Sequence, residues 1–458
     1  MSDIAAAGDR ADLRHVVARL ERLPYCSWHW NMRLIICTAW FFDAFDSVAI
    51  AYVLPPLIGL WHLTPPQIGS LIGIGFAGQL FGAIGFGWIG ERWGRRNAML
   101  ATLLIFTLGA LACALAPGYD VLWWFRFIQG IGLGGEVPLM AAYINEFAKA
   151  KGRGRFSLNV QVLFSIGLLA VALVSLYVVP HWGWQWMFVI GAVPAFLALP
   201  LRTLLPESPR WLASQSRFDE ADRALKRIED IAAQEGKAIP ALPVDLPMLV
   251  PVRPRIADLF KGIYLRRTIS VWFLWIGAYF VSYGITAWVP TIFRTVYHLN
   301  VQESLTFGFI VSGFGLAGAF LAIYLIEAIG RRLMLVISMG GCCIPLLSFA
   351  VLPPMSAAGT LSVVTLAFFF LTFSLLGLAT YTAEIYPTHL RALGGGVASA
   401  WQRGASMVGT TVVGWVLPHY GIAAVYVMFG LFALIGALTA YFFATETRAQ
   451  VLERLSPA

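Results

Sequence analysis

Twelve mainly apolar stretches divide this chain, at approximately 33–55, 67–90, 98–116, 121–147, 156–179, 184–203, 267–293, 303–328, 332–352, 358–384, 390–417 and 421–444. A helix needs ~20 such residues to cross a bilayer, where every backbone N–H and C=O must be satisfied within its own segment. Composition excludes the soluble alternative. Hydrophobic residues make up 59% and charged residues 12%, against roughly 25% charged in soluble domains, so too little polar surface remains to coat a water-facing exterior. The expected class is an all-α membrane protein with twelve transmembrane helices.

The charged punctuation between these stretches occurs twice. Glu91-Arg-Trp-Gly-Arg-Arg96 returns 236 residues later as Glu327-Ala-Ile-Gly-Arg-Arg332. Glu146 is followed seven residues on by Arg153, and 238 residues later Glu384 is followed seven residues on by Arg391. Recurrence at a near-constant offset predicts two homologous halves, here two pseudo-symmetric six-helix bundles. In membrane proteins such halves usually build a path between them.

Lys and Arg placement predicts the orientation. Arg10, Arg14, Arg19 and Arg22 precede the first span; Arg92, Arg95 and Arg96 join spans two and three; Lys149, Lys151, Arg153 and Arg155 join spans four and five. The connection after span six, Arg331, Arg332, Arg391, Arg448 and Arg454 continue that side, whereas the loops 55–66, 117–120, 180–183 and 418–421 carry no Lys or Arg. Arg294 is the exception. The positive-inside rule then puts both termini and the central loop in the cytoplasm of a multi-pass protein of the cell (inner or plasma) membrane. It also accounts for the net charge of +8 without a nucleic-acid partner.

The expected layout is a cytoplasmic segment over 1–32, bundles over 33–203 and 267–444, a cytoplasmic loop over 204–266, and a tail over 445–458. Within the loop, Asp219 to Gln234 reads as an amphipathic helix with Ala221, Leu225, Ile228 and Ile231 on one stripe. The prolines that follow, from Pro240 to Pro254, suggest an extended linker rather than a catalytic domain. No removable leader is expected, because the first thirty residues are polar and mixed in charge. Five cysteines (Cys26, Cys37, Cys113, Cys342 and Cys343) show no metal-ligand spacing and read as small packing residues.

Ionisable residues inside apolar segments are costly and usually face a cavity or a partner. Span one holds Asp43 and Asp46, span four Arg126 and Glu136, and span eleven Arg403. Asp43 and Asp46 are three apart, on neighbouring positions of one helical face. Two close carboxylates in a low-dielectric gap tend to share a proton. A binding cavity among these helices would set a cation beside aromatic walls. Arg403, beside Trp401 and Gln402, is the candidate cation; Trp40, Phe41, Phe45, Tyr279, Tyr283 and Tyr381 are candidate walls. Glu136 is read as a partner of Arg403, as a second proton site, or as a structural hydrogen-bonding group near Pro138.

Gly87-Trp-Ile-Gly-Glu-Arg-Trp-Gly-Arg-Arg96 and Pro206-Glu-Ser-Pro-Arg-Trp-Leu212, with twelve spans in two halves, resemble the major facilitator superfamily. Glu91 stands where that family usually has Asp. The resemblance implies a cytoplasmic latch of acids and arginines, carried here onto Glu91, Arg95, Glu146, Arg153, Glu327, Arg331, Glu384 and Arg391. Phe45-Asp46-Ser47-Val48-Ala49-Ile50 and Arg126-Phe-Ile-Gln-Gly-Ile-Gly132 look like proton-coupled sugar porters, which implies an Asp46–Arg126 pair freed by protonation. Gly154, Gln161 and Gly167 keep the spacing of the sugar porters' fifth helix, implying that Gln161 touches substrate. Span seven, Trp275-Ile-Gly-Ala-Tyr-Phe-Val-Ser-Tyr-Gly284, lacks those porters' amide residues.

Other segments resemble the metabolite–proton symporters for niacin and aromatic acids. These are Asp43-Ala-Phe-Asp46, Gly134-Gly-Glu-Val-Pro138, Trp288-Val-Pro-Thr291, and Tyr381-Thr-Ala-Glu-Ile-Tyr-Pro-Thr388 with Arg391. The expectation is an alternating-access proton symporter for a small aromatic carboxylate, not an enzyme. A sugar or polyol symporter, an organic-cation or drug exporter, and a non-transporting membrane protein remain open alternatives. Which of Asp43 and Asp46 titrates first is open too. The expected partners are a small-molecule substrate, protons and the bilayer, with a monomeric chain and no cofactor, metal or nucleotide. Gly130, Gly132 and Gly135 match a dinucleotide pattern, but no strand precedes them; there they permit close helix packing.

Overall fold

The computed structural model describes residues 14–147, 153–242 and 255–448. Its long helices are α1 (Ser27–Trp61), α2 (Pro65–Trp93), α3 (Arg95–Ala114), α4 (Tyr119–Phe147) and α5 (Arg153–Trp182). The sixth span is broken into α6 (Gln185–Gly191), a 3₁₀ turn (Val193–Leu197) and α7 (Ala198–Leu204). Two short helices of the central loop, α8 (Pro209–Ser214) and α9 (Phe218–Gln234), follow. The second half holds α10 (Ile263–Thr295), α11 (Val301–Ala328), α12 (Arg331–Leu347), α13 (Ala357–Ile385) and α14 (Thr388–Phe443). Eleven of these segments are long and apolar enough to cross a membrane. The last is two spans, because Gly421 (φ 78°, ψ 179°) interrupts the 56 residues of α14. That makes twelve crossings, as expected.

Local chemistry sets the helix starts. Thr64 precedes Pro65 and its backbone nitrogen donates to Gln67 Oε1 at 2.9 Å. Asn300 and Glu303 cap each other, Glu303 N to Asn300 Oδ1 at 2.8 Å and Asn300 N to Glu303 Oε2 at 3.0 Å. These bonds satisfy donors that a helix N-terminus leaves open. The repeated Gly-Arg-Arg corners share one backbone solution: Gly94 has φ 98° and Gly330 φ 87°. Residues with a Cβ avoid that region, so each corner needs its glycine.

Within the first half, α2 and α3 pack on α4; within the second, α10 and α12 pack on α14, and α11 and α12 on α13. Between halves, α2 lies along α14, α5 along α11, and α1 against α10. The core is unequal along the bundle. At the Pro55 end one apolar cluster joins both halves, including Leu54, Leu57, Ile72, Trp288, Phe293 and Val413. At the opposite end a separate cluster belongs to the first half alone, with Trp28, Leu139, Tyr143, Trp211, Leu225 and Ile228. The shared cluster continues through the second half to Tyr386 and Leu390, and near that end Val162 of α5 packs on a smaller second-half cluster with Ile326 and Met334.

The first-half cluster includes α9, which begins one residue before the expected start and buries Ala221, Leu225 and Ile228, with Ile231 half-buried. The helix over 14–22 clamps it: Arg19 grips Glu229 at 3.0 and 2.6 Å and also contacts Asp222, and Arg22 reaches Glu229 at 2.9 Å. Burial pushes the Glu229 carboxyl up, but the arginine hydrogen bonds outweigh it and hold it below its usual value.

Candidate functional site

A cavity of about 200 Å³ lies between the halves. The first half contributes Trp40, Asp43 and Ser47 of α1, Gln79 of α2, Val137 of α4, and Phe164, Ser165 and Leu168 of α5. The second half contributes Trp275, Tyr279, Ser282, Tyr283 and Thr286 of α10, Ser312 of α11, Phe368 and Thr372 of α13, and Ser399, Gln402 and Arg403 of α14. Spacings of three and four residues put each set on one helical face. These are polar or aromatic stripes on helices that are otherwise apolar all round.

Arg403 is 5% exposed. Its Nη1 donates to Ser399 Oγ at 2.5 Å and to the Ser399 carbonyl at 3.2 Å. Its Nη2 reaches across to the Gly134 carbonyl at 3.4 Å, and its Nε has no partner among the described residues. No acid lies within 4.0 Å of the guanidinium among the described residues. Asp43, on the facing wall of the same cavity, is near enough for the two charges to act on each other. Along α10, Trp275, Tyr279 and Tyr283 form a stacked ladder, with centroids 5.3 and 6.2 Å apart. The buried Trp40 Nε1 finds no acceptor among the described residues. A cation, an indole N–H and flat aromatic faces thus converge on one space.

Next to the cavity, Asp46 and Arg126 are both buried but do not form a direct ion pair. Gln129 stands between them: its Nε2 donates to Asp46 Oδ1 at 3.2 Å, and its Oε1 accepts from Arg126 Nη1 at 2.8 Å. The backbone has been thinned to fit them. Gly191 faces the Asp46 carboxylate, where a Cβ would collide with both oxygens, and Gly75 leaves room for Arg126. Glu136 is buried within the electrostatic reach of Asp43 and Asp46.

At the end away from Pro55, the duplicated charges form matching clusters. Arg95 Nε binds Glu146 at 3.0 Å. Arg331 binds Glu384 at 3.1 and 3.0 Å and Glu327 at 3.0 Å. Above each arginine a further acid closes the helix N-terminus. Glu207 accepts from Arg95 N at 2.8 Å and Arg96 N at 3.1 Å, while Glu446 accepts from Arg331 N at 3.0 Å and Arg332 N at 3.1 Å. Each cluster ties helices within one half.

The family model for sugar (and other) transporters matches residues 36–458. The chain belongs to that family. Its fold is the twelve-helix fold of the major facilitator superfamily. A crystal structure of the D-xylose-proton symporter matches it with a TM-score of 0.72 at 22% identity, covering 93% of this chain and 100% of that one. The partially occluded, inward-open xylose transporter XylE from E. coli gives 0.73 at 21% identity, with the same coverage. Among curated transporters, this chain is 33% identical to the niacin transporter NiaP of Acinetobacter baylyi over 96% of its length and 99% of that protein. It is 28% identical to the 4-hydroxybenzoate transporter PcaK of Pseudomonas putida over 60% of this chain and 61% of that one.

Within this transporter family member, Trp40, Asp43, Tyr279, Tyr283, Gln402 and Arg403 line the cavity. Phe41, Phe45 and Tyr381 do not. Phe45 is buried against Phe42, and the Tyr381 hydroxyl accepts from Thr445 N at 3.0 Å, bracing the end of α14. Glu136 does not pair with Arg403, and Asp46 meets Arg126 only through Gln129. Glu91 is exposed without an ion pair to any described residue, and Arg391 is half-buried in the first turn of α14. The side chains of Arg153 and Gln161, and most of the proline-rich linker, lie outside the described residues. Sequence reasoning missed Gln129, Gly191, Glu207 and Glu446. An amide three residues after a buried arginine was the available signal for Gln129.

Proposed function

We propose that this transporter is a proton-coupled symporter importing a small aromatic carboxylate, of the nicotinate or hydroxybenzoate kind, by alternating access. Arg403 carries the reading. A buried guanidinium with no acid against it, facing an aromatic-lined cavity of about 200 Å³, is a site for a carboxylate brought by a planar ligand. Tyr279 and Tyr283 stack on the ring, and Trp40 and Gln402 donate to polar ring atoms. The names of the Acinetobacter and Pseudomonas relatives, a niacin and a 4-hydroxybenzoate carrier, support the same substrate class.

Coupling is assigned to Asp43, Asp46, Arg126 and Glu136. Three buried acids and two buried guanidiniums border the seam, so an arriving anion adds to an existing excess of acids. Entry with at least one proton relieves it, and an inside-negative potential then opposes uptake less or drives it. The clusters built on Arg95 and Arg331, with Glu91, Arg153 and Arg391, serve as the cytoplasmic gate. Positive charge on that side puts both termini in the cytoplasm. The apolar cluster that joins both halves at the Pro55 end fits a carrier closed to the outside. The two halves rock about the central site in a monomer.

The test is uptake into proteoliposomes of nicotinate, 4-hydroxybenzoate, hexoses and quaternary amines across pH. Arg403→Ala is expected to raise the half-saturating acid concentration by roughly tenfold or more, the range for a hydrogen bond to a charged group. An unchanged value removes Arg403 from the site. One observation favours sugar symport as a second reading: Ser282, Thr286, Ser312 and Gln79 give the cavity hydroxyl and amide groups suited to polyols. Saturable hexose uptake without acid uptake would select it.

A further inference from the structure

We propose that Gln129 is a positioning residue of the coupling site, a spacer that keeps Asp46 and Arg126 from closing into a direct ion pair. The inference rests on the reading of Asp46 and Arg126 as the coupling groups, and adds a residue that neither the resemblance nor the relatives assign.

The geometry leaves the amide one orientation. A carboxylate can only accept and a guanidinium can only donate, so the NH₂ must face Asp46 and the carbonyl must face Arg126. The distances, 3.2 and 2.8 Å, fit that arrangement. Gln129 is fully buried, and Cys113 Sγ lies 3.6 Å from the same Oε1. Its place is built into the backbone. A Cβ on Gly109 of α3 would stand 2.7 Å from Gln129 Cα, so α3 presses α4 into position at this residue.

Asp46 Oδ2 and Arg126 Nε find no partner among the described residues, and the two charged groups have unspent capacity for each other. At low dielectric, direct contact would be strongly attractive and would favour the ionised acid. The amide spends part of each group's capacity and holds the charges one side chain apart. The other titratable groups around Asp46 are Asp43 on α1, Glu136 and Arg126 on α4, and the Cys113 thiol on α3; α6 presents Gly191. Among the described residues only Gln129 hydrogen-bonds to both Asp46 and Arg126.

The experiment compares wild type, Gln129→Leu, Gln129→Asn and Asp46→Asn in proteoliposomes, measuring acid-driven accumulation and substrate exchange across pH. Leucine keeps most of the volume and removes both hydrogen bonds; asparagine keeps the amide but is too short to touch both partners. Both variants are expected to lose accumulation more than exchange. The alkaline limb of accumulation should move to lower pH in Gln129→Asn, where the gap lets the pair close, and to higher pH in Gln129→Leu, where the charges stay apart and Asp46 loses a donor, each by roughly one unit, the equivalent of a tenfold change in proton binding. Gln129→Leu with a wild-type pH profile overturns the inference; should that protein not fold, a wild-type profile in Gln129→Asn overturns it. If Asp46→Asn accumulates normally, the coupling assignment itself fails, whatever Gln129 does.

Discussion

Arg331 holds Glu384 through two nitrogens, at 3.1 and 3.0 Å, whereas its counterpart Arg95 holds Glu146 through one, at 3.0 Å. Arg331 also binds Glu327 and the Ile326 carbonyl, and Thr447 Oγ1 adds a 2.5 Å bond to Glu384. The two halves therefore repeat a plan but not a strength.

Truncating these arginines should separate them. Both pairs are partly buried, between the surface limit of ~0–1 kcal/mol and the buried limit of ~3–5 kcal/mol for losing one partner. Arg331→Ala is expected to cost ~2–3 kcal/mol and Arg95→Ala ~1 kcal/mol. Melting temperatures in detergent would check this; equal shifts would contradict it.

Glu207 and Glu446 cap corresponding helices but differ in electrostatics. Burial pushes the Glu207 carboxyl up, against the backbone hydrogen bonds from Ser208, Arg96 and Arg95. Burial also raises Glu446, but backbone hydrogen bonds from Arg448, Arg331, Arg332 and Thr447 win and hold it low. A lowered acid stabilises above its unfolded value, about pH 4, and loses that contribution as pH falls through the folded value. A raised acid stabilises below it and loses the contribution as pH rises. Glu446→Gln should therefore lower the melting temperature at pH 7 clearly more than Glu207→Gln. The gap should narrow towards pH 4. A gap that widens on acidification would refute the assignment.

Gly191→Ala places a methyl group against the Asp46 carboxylate. Acid-driven accumulation should fall at least ~10-fold, since a displaced acid loses a charge-assisted hydrogen bond. Thermal stability should fall by less than that of a core cavity mutant. Normal accumulation would show that Asp46 needs no such fit.

Asp46→Asn is expected to abolish acid-driven accumulation while substrate exchange persists. Counterflow with labelled substrate, without a pH gradient, distinguishes the two. Accumulation at the wild-type level would remove Asp46 from coupling.

Much of the site was legible because burying charge in an apolar span is costly, which singled out Asp43, Asp46, Arg126, Glu136 and Arg403. The walls were harder. Helices that are apolar on every side give no stripe to say which face meets a cavity, so Phe45 and Tyr381 looked as suitable as Tyr279 and Tyr283. Glu207 and Glu446 escaped notice because each caps a helix more than 100 residues away in the chain. Backbone donors leave no trace in side-chain spacing.

The amino-acid order alone determined the twelve crossings, the duplication and the set of buried charges, since each follows from periodicity or from the cost of placing a residue in lipid. Only the tertiary structure decided that an amide separates Asp46 from Arg126 and that Arg403 faces a cavity instead of an acid. Those outcomes depend on how closely packed helices bring distant residues together, at distances where a single side chain changes which charges touch.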